Sequence, residues 1–162
     1  MSDPADQAKV TVLLIDDHEL IRNGLGAVLD LEPDLEVVAT AGSVAEGIQR
    51  YHEVRPDVVV TDLQMQDGTG LDVVRTLRKE SDKVGLIVLT MHSGDDQIFA
   101  AMQAGASGFV GKDAPSTEVI KAARHAAVSP KAFVCAGLVG AMMRRQSAES
   151  TALTEREHDV LL

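Results

Sequence analysis

Aromatic residues are scarce in this 162-residue chain: three phenylalanines, one tyrosine and no tryptophan. Stacking platforms for single-stranded nucleic acid need several aromatics on one face, so that class of function is disfavoured. Cysteine is almost absent too. Cys135 alone excludes an internal disulfide and any metal site built from several cysteines, fits a reducing compartment, and reads as a small core residue. Cations are outnumbered, 15 Lys and Arg against 25 Asp and Glu, for a formal net charge of −10. Phosphate backbones are bound by clustered cations, so this stretch is not expected to bind nucleic acid by itself. No apolar run approaches the roughly 18 residues that span a bilayer. The polar start from Met1 to Lys9 lacks a signal-peptide core. The chain reads as soluble and intracellular, with no membrane partner.

What is present is a 45% apolar content in a regular alternation. Val10 to Ile15 is a short continuous apolar run, the pattern of a strand buried on both faces. Ile21, Leu25, Val28 and Leu29 then recur at helical spacing. Leu35 to Ala39 predicts a second strand, and Ser43 with Glu46 predicts a capping box opening a helix with the stripe Val44, Ile48 and Tyr51, closed by Pro56. Val58 to Thr61 is the third strand; Gly68 and Gly70 mark a loop, and Leu71, Val74 and Leu77 a further helix. Leu86 to Leu89 is the fourth strand, Ile98, Phe99 and Met102 a helix stopping at Gly105, Gly108 to Gly111 the fifth strand, and Val119, Ile120 and Ala123 a last helix of the alternation. Five strand and helix units imply an α/β fold with a doubly wound, five-stranded parallel sheet.

After about residue 127 the alternation stops at Ser129-Pro130. Leu138, Val139, Met142 and Met143 suggest one extra amphipathic helix, from about Ala132 to Arg145, and residues 146–152 have the small, polar composition of a joint. Thr154 and Glu157 form a second capping box before Val160, Leu161 and Leu162. The expected organisation is a domain over 9–127, a helical and flexible linker over 128–152, and the start of another domain over 153–162.

The chemistry sits at strand ends. Asp16 and Asp17, Asp62, Thr90 and Lys112 each follow an apolar run, and side-by-side parallel strands converge such residues at the carboxyl edge, where open α/β sheets bind ligands. Singly, each has an ordinary explanation: an acid at a helix start, a turn acid, a strand threonine, a solvated lysine. Together they form a constellation. Three carboxylates in one place either raise a pKa or hold a cation, and oxygen-only ligands beside a phosphate favour Mg²⁺. With such an ion present, one carboxylate stays ionised and can attack phosphorus, Lys112 can pair with phosphoryl oxygens, and the Thr90 hydroxyl can donate to another.

The strings Leu-Ile-Asp-Asp-His (14–18), Val-Thr-Asp-Leu-Gln-Met (60–65), Leu-Thr (89–90) and Gly-Phe-Val-Gly-Lys-Asp (108–113) resemble the receiver domain of bacterial two-component response regulators. Leu153-Thr154-Glu155-Arg156-Glu157 resembles the opening of the LuxR-type helix-turn-helix, and Ala104 to Gly108 is similar to receivers of the NarL/FixJ family. The resemblance implies a flavodoxin-like sheet of order 2-1-3-4-5. It makes Asp62 the phosphoacceptor for a sensor histidine kinase and Asp16, Asp17, Asp62 and the Gln64 carbonyl the Mg²⁺ ligands. It sets Thr90 and Lys112 on the phosphoryl group, and Thr90 with Phe109 as the switch; Phe109 is equally readable as a core aromatic. It further implies a phosphoacceptor signalling protein rather than an enzyme, dimerisation, the bacterial cytoplasm, and promoter DNA bound only through a domain beyond Leu162.

Some residues depart from the family pattern or tune it. Gln66 stands where receivers commonly have Pro, suggesting a looser loop from Leu63 to Gly70, and Met91 is bulky where many have a small residue. Gln64 and His92, two positions after Asp62 and Thr90, are placed to affect the lifetime of the phosphoryl group. Arg144-Arg145 reads as a complement to a helix dipole rather than a nucleic-acid patch. Two other functions compete: an aspartate-dependent phosphatase of the haloacid dehalogenase type, whose two acids stand two residues apart where this chain has Asp16 and His18, and a degenerate receiver acting only as a protein-interaction module.

Overall fold

The computed structural model describes residues 9–91, 95–112 and 114–134. The expectations for His92, Cys135, the helix through Met143, Arg144-Arg145, the joint and the Thr154 box lie outside these residues. Five strands, β1 (Val10–Ile15), β2 (Leu35–Ala41), β3 (Val58–Asp62), β6 (Gly85–Thr90) and β7 (Gly108–Gly111), form a parallel sheet of order β2-β1-β3-β6-β7. This is the expected 2-1-3-4-5 order counted over the sheet strands. The reversal of winding beside β1 leaves a crevice at the carboxyl ends of β1 and β3, which pair from Val12↔Val58 to Ile15↔Thr61.

The helices α1 (Glu19–Asp30), α2 (Val44–Val54), α3 (Gly70–Glu80), α4 (Asp95–Ala104) and α5 (Ser116–Val128) cover both faces. Because both faces are covered, the central strands are apolar throughout, and every residue of β3 and β6 is buried. Successive strand residues point to opposite faces and so divide between two cores. Leu13, Ile15, Val59, Leu86 and Val88 pack with α2, α3 and α4 residues such as Tyr51, Leu77 and Ile98, while Val12, Leu14, Val58, Val60 and Ile87 pack with Leu29, Val119, Ile120 and Ala123. Each such side chain contributes about 1.5–3 kcal/mol by leaving water.

The helical stripes are recovered, with one exception at the start of α1. Leu29 is buried, but Ile21 is 41% exposed and its neighbour Leu20 88%. Among the described residues, these two side chains in the first turn of α1 stay largely uncovered. The Leu63 to Gly70 segment, read as a loop, contains regular structure. β4 (Gln64–Met65) and β5 (Gly68–Thr69) form a small antiparallel hairpin, pairing Gln64↔Thr69 and Met65↔Gly68. From its turn Asp67 accepts the N–H groups of Val44 and Ala45 at 2.9 and 3.1 Å, joining Ser43, whose hydroxyl accepts from Glu46 N at 3.1 Å, in capping α2. A complete capping box stands instead at α3, where Thr69 and Asp72 each accept the other's N–H.

After α5 the chain does not begin a helix at Ala132. It runs back along the free edge of β7: Val134 bridges Gly108 in parallel, donates to Ser107 O at 3.0 Å and accepts from Phe109 N at 3.3 Å. An exposed β edge is thereby paired. Arg78 of α3 fastens this strap from below, donating to the carbonyls of Gly105 (2.9 Å), Ser81 (3.1 Å), Val84 (2.8 Å) and Pro130 (3.1 Å). The Ser107 hydroxyl adds a second bond to Pro130 O and accepts from Leu86 N at 3.0 Å.

Candidate functional site

Four of the five sheet strands each deliver a polar group to the carboxyl edge. Asp16 follows β1 directly, Asp62 ends β3, Thr90 ends β6 and Lys112 follows β7. Asp16, Asp62 and Thr90 are only 4%, 5% and 2% exposed, a burial that carboxylates tolerate only with partners. The local backbone explains the placement of Asp62. Leu63 N donates to Leu89 O at 2.8 Å and Gly70 N to Leu63 O at 2.7 Å, which brings the start of α3 against the strand end. A Cβ at Gly70 would strike the Asp62 carbonyl oxygen, so glycine is required for that approach.

Lys112 joins the acids. Its Nζ lies 3.0 Å from Asp16 Oδ2 and 3.1 Å from Asp62 Oδ2, with all three side chains about 93% buried. Burial, the largest influence, pushes the Asp62 carboxyl up; the bond and charge of Lys112 pull it down, the negative charge of Asp16 pushes it up again, and the N–H of Gln64 holds it down, leaving it raised. For Lys112, burial disfavours its charge, but the bonds to Asp16 and Asp62 outweigh this and raise its pKa. The lysine is thus firmly a cation between two acids.

Asp17 is the least satisfied member. Its Oδ1 is buried and makes no well-formed hydrogen bond within the described residues; His18 Nδ1 lies 3.0 Å away. His18 is a member of the site that the strand-end pattern did not single out. Its Nδ1 is also 3.3 Å from Asp16 Oδ1 and 4.0 Å from Asp62 Oδ2, with the ring 64% exposed on the rim. One ligand atom from each of Asp16, Asp17, His18 and Asp62 fits within 4.8 Å of the others. An orphaned carboxylate oxygen among three acids and one lysine suits a hard divalent ion, and the donor set fits Mg²⁺.

The other expected site residues fall into place unequally. Gln64 opens β4, exposed, two residues past Asp62. Lys112 N donates to Thr90 O at 2.7 Å, tying these two residues together through the backbone. Phe109 pairs in register with Val88, two positions below Thr90↔Gly111, and is buried at 2% in the core that Phe133 also packs against. Met91, just after β6, is 67% exposed. Among the described residues no helix is long and apolar enough to cross a membrane.

Comparison with known proteins gives this geometry a context. Residues 12–124 match the family model for the response regulator receiver domain. The DNA-binding transcriptional activator DevR/DosR of Mycobacterium tuberculosis is 41% identical over 115 residues, covering 71% of this chain and 53% of that protein, so the chain spans about half of its length. The transcriptional regulatory protein LiaR of Bacillus subtilis is 34% identical over 157 residues, covering 94% of this chain and 74% of LiaR. Of solved structures, a LuxR-family response regulator from Aurantimonas sp. SI85-9A1 superposes with a TM-score of 0.79 at 26% identity, over 86% of this chain and 99% of that one. The receiver domain of the putative response regulator NarL from Mycobacterium tuberculosis gives 0.72 at 30% identity, over 75% and 98%.

Proposed function

The chain belongs to the response regulator receiver family, and from that membership we propose that Asp62 accepts a phosphoryl group from the phosphohistidine of a sensor kinase. In this reading a carboxylate oxygen of Asp62 attacks phosphorus, the bond from phosphorus to the imidazole nitrogen breaks, and the departing imidazole is left to take up a proton. The observation that carries it is Lys112 Nζ shared between Asp16 and Asp62 at 3.0 and 3.1 Å, a buried cation beside the one acid that ends a central strand. Lys112 opposes protonation of Asp62 before transfer and meets the added negative charge after it. Thr90 donates its hydroxyl to a phosphoryl oxygen.

Asp16, Asp17, Asp62 and the Gln64 carbonyl would hold Mg²⁺. The ion, when bound, offsets the repulsion among the acids and draws charge from the phosphoryl oxygens. The protein's own part is to keep these groups converged and to shield them, with Leu63 and the β4–β5 hairpin closing one side. The phosphoryl group then shifts a population through its contacts with Thr90 and Lys112, by no more than those contacts differ between states. Phe109 is the proposed follower of Thr90, and the message passes to a LuxR-type DNA-binding domain of which residues 153–162 are the start. Residues 128–152 are the linker, the protein acts as a dimer in the bacterial cytoplasm, and promoter DNA is bound through the downstream domain. Its role is that of a signalling acceptor that assists its own phosphorylation.

Titration with Mg²⁺ and beryllofluoride, a phosphoryl mimic, tests the site by the amide resonances of Gln64, Thr90 and Lys112. With both components present all three are expected to shift, beyond any change that Mg²⁺ alone produces. No metal-dependent response would sink the reading.

A further inference from the structure

Asp16, at the head of the acidic turn, is fixed on three sides. Its N–H donates to Ala41 O at 3.0 Å, its Oδ1 accepts from His18 N at 2.8 Å, and its carbonyl accepts from Arg22 Nη1 at 2.8 Å. The third bond comes from a charged side chain in the first turn of α1. Space for that guanidinium is left by Gly42, just past β2, where a Cβ would lie 3.0 Å from Nη1 and 4.0 Å from Asp16 O. Arg22 Nε is buried and has no hydrogen-bond partner among the described residues. Leaving a buried N–H unpaired is costly, so charge is what keeps the guanidinium here: it backs a turn whose two carboxylates repel each other.

We propose that Arg22 is a positioning residue for the cation site. By gripping the Asp16 carbonyl and opposing the charge of the turn, it holds Asp16 and Asp17 aimed at one point before an ion arrives. It acts through the turn and touches neither the ion nor the phosphoryl group. Groups that orient ligands in this way typically change metal affinity about 10–100-fold when removed. The inference rests on the Mg²⁺-assisted reading above, and its test separates the two.

Mg²⁺ affinity of the 162-residue chain is measured by calorimetry without phosphodonor, well below the melting temperature, for wild type, Arg22→Met, Arg22→Lys and Gly42→Ala. Arg22→Met keeps the apolar stem and loses the head. It is expected to raise the Kd for Mg²⁺ about tenfold. Arg22→Lys restores part of the affinity, and Gly42→Ala, by crowding Nη1, weakens it in the same direction by less. Metal-free Tm is followed alongside, because a merely structural arginine would lower Tm and leave the affinity of the folded protein untouched. Wild-type affinity in Arg22→Met overturns the proposal whatever its Tm. If that variant does not fold, wild-type affinity in both Arg22→Lys and Gly42→Ala overturns it equally. A wild-type chain that binds no Mg²⁺ fails the cation reading itself and takes this inference with it.

Discussion

At the scale of the residue, the site is a balance of charges in which Lys112 decides the outcome. Asp16 and Asp62 are nearly buried and both reach the same Nζ. Removing one partner of a buried ionic group leaves the other uncompensated, at a cost of about 3 kcal/mol. Lys112→Met is therefore expected to lose about that much stability at neutral pH. The loss should shrink on acidification as the facing carboxylates take up protons, and chemical denaturation at several pH values checks both halves. Asp62 has the opposite sign. Its pKa is raised in the folded state, chiefly by burial, so the folded protein binds that proton more tightly than the unfolded chain and stability falls as pH rises through the raised value. Asp62→Asn removes that loss: metal-free, it should melt above wild type at neutral pH, with the gap closing on acidification. A variant that melts lower would contradict the assignment of burial as the dominant influence.

At the scale of the element, strand ends and the Ser43 cap are legible in the sequence, whereas the small hairpin and the Asp67 cap are not. Val58 to Asp62 announces itself by β-branched residues running into an acid, and Gly108 to Gly111 was placed to the residue. The β4–β5 hairpin escaped because two-residue strands carry no periodicity, and Asp67 escaped because the amides it caps lie 22 and 23 residues away. His18 and Arg22 are near Asp16 in sequence, but which way each points is set by the turn and by Gly42, and no spacing rule expresses that. Asp67 supplies an element-scale test. Its pKa is lowered by the Val44 and Ala45 N–H groups, so its contribution is present above the ordinary value of 3.8 and is lost as pH falls through the depressed one. Asp67→Asn should melt below wild type at neutral pH and match it in strong acid. The strap supplies another. Ser107→Ala leaves Leu86 N without its acceptor and Pro130 O with one donor fewer, a cost of about 1–3 kcal/mol. Faster amide exchange is expected at Leu86, Phe109 and Val134; unchanged exchange at Phe109 and Val134 would mean that Ser107 does not hold the strap.

At the scale of the whole molecule, one sheet gathers groups that lie far apart in the chain. Lys112 reaches Asp16 across 96 residues because β7 and β1 stand in one parallel array, and this convergence makes Asp16, Asp62, Thr90 and Lys112, though not His18, readable from strand ends. Acids that look like turn residues one at a time acquire a use when two strands deliver them to one edge and two more bring Thr90 and Lys112 beside them. Asp62, and no other acid of the cluster, is expected to become covalently phosphorylated. Incubation of wild type and Asp62→Asn with Mg²⁺ and a small phosphodonor, followed by intact mass, measures this directly. The account predicts one phosphoryl group on wild type, absent without Mg²⁺ and absent from Asp62→Asn; equal labelling of Asp62→Asn would contradict it.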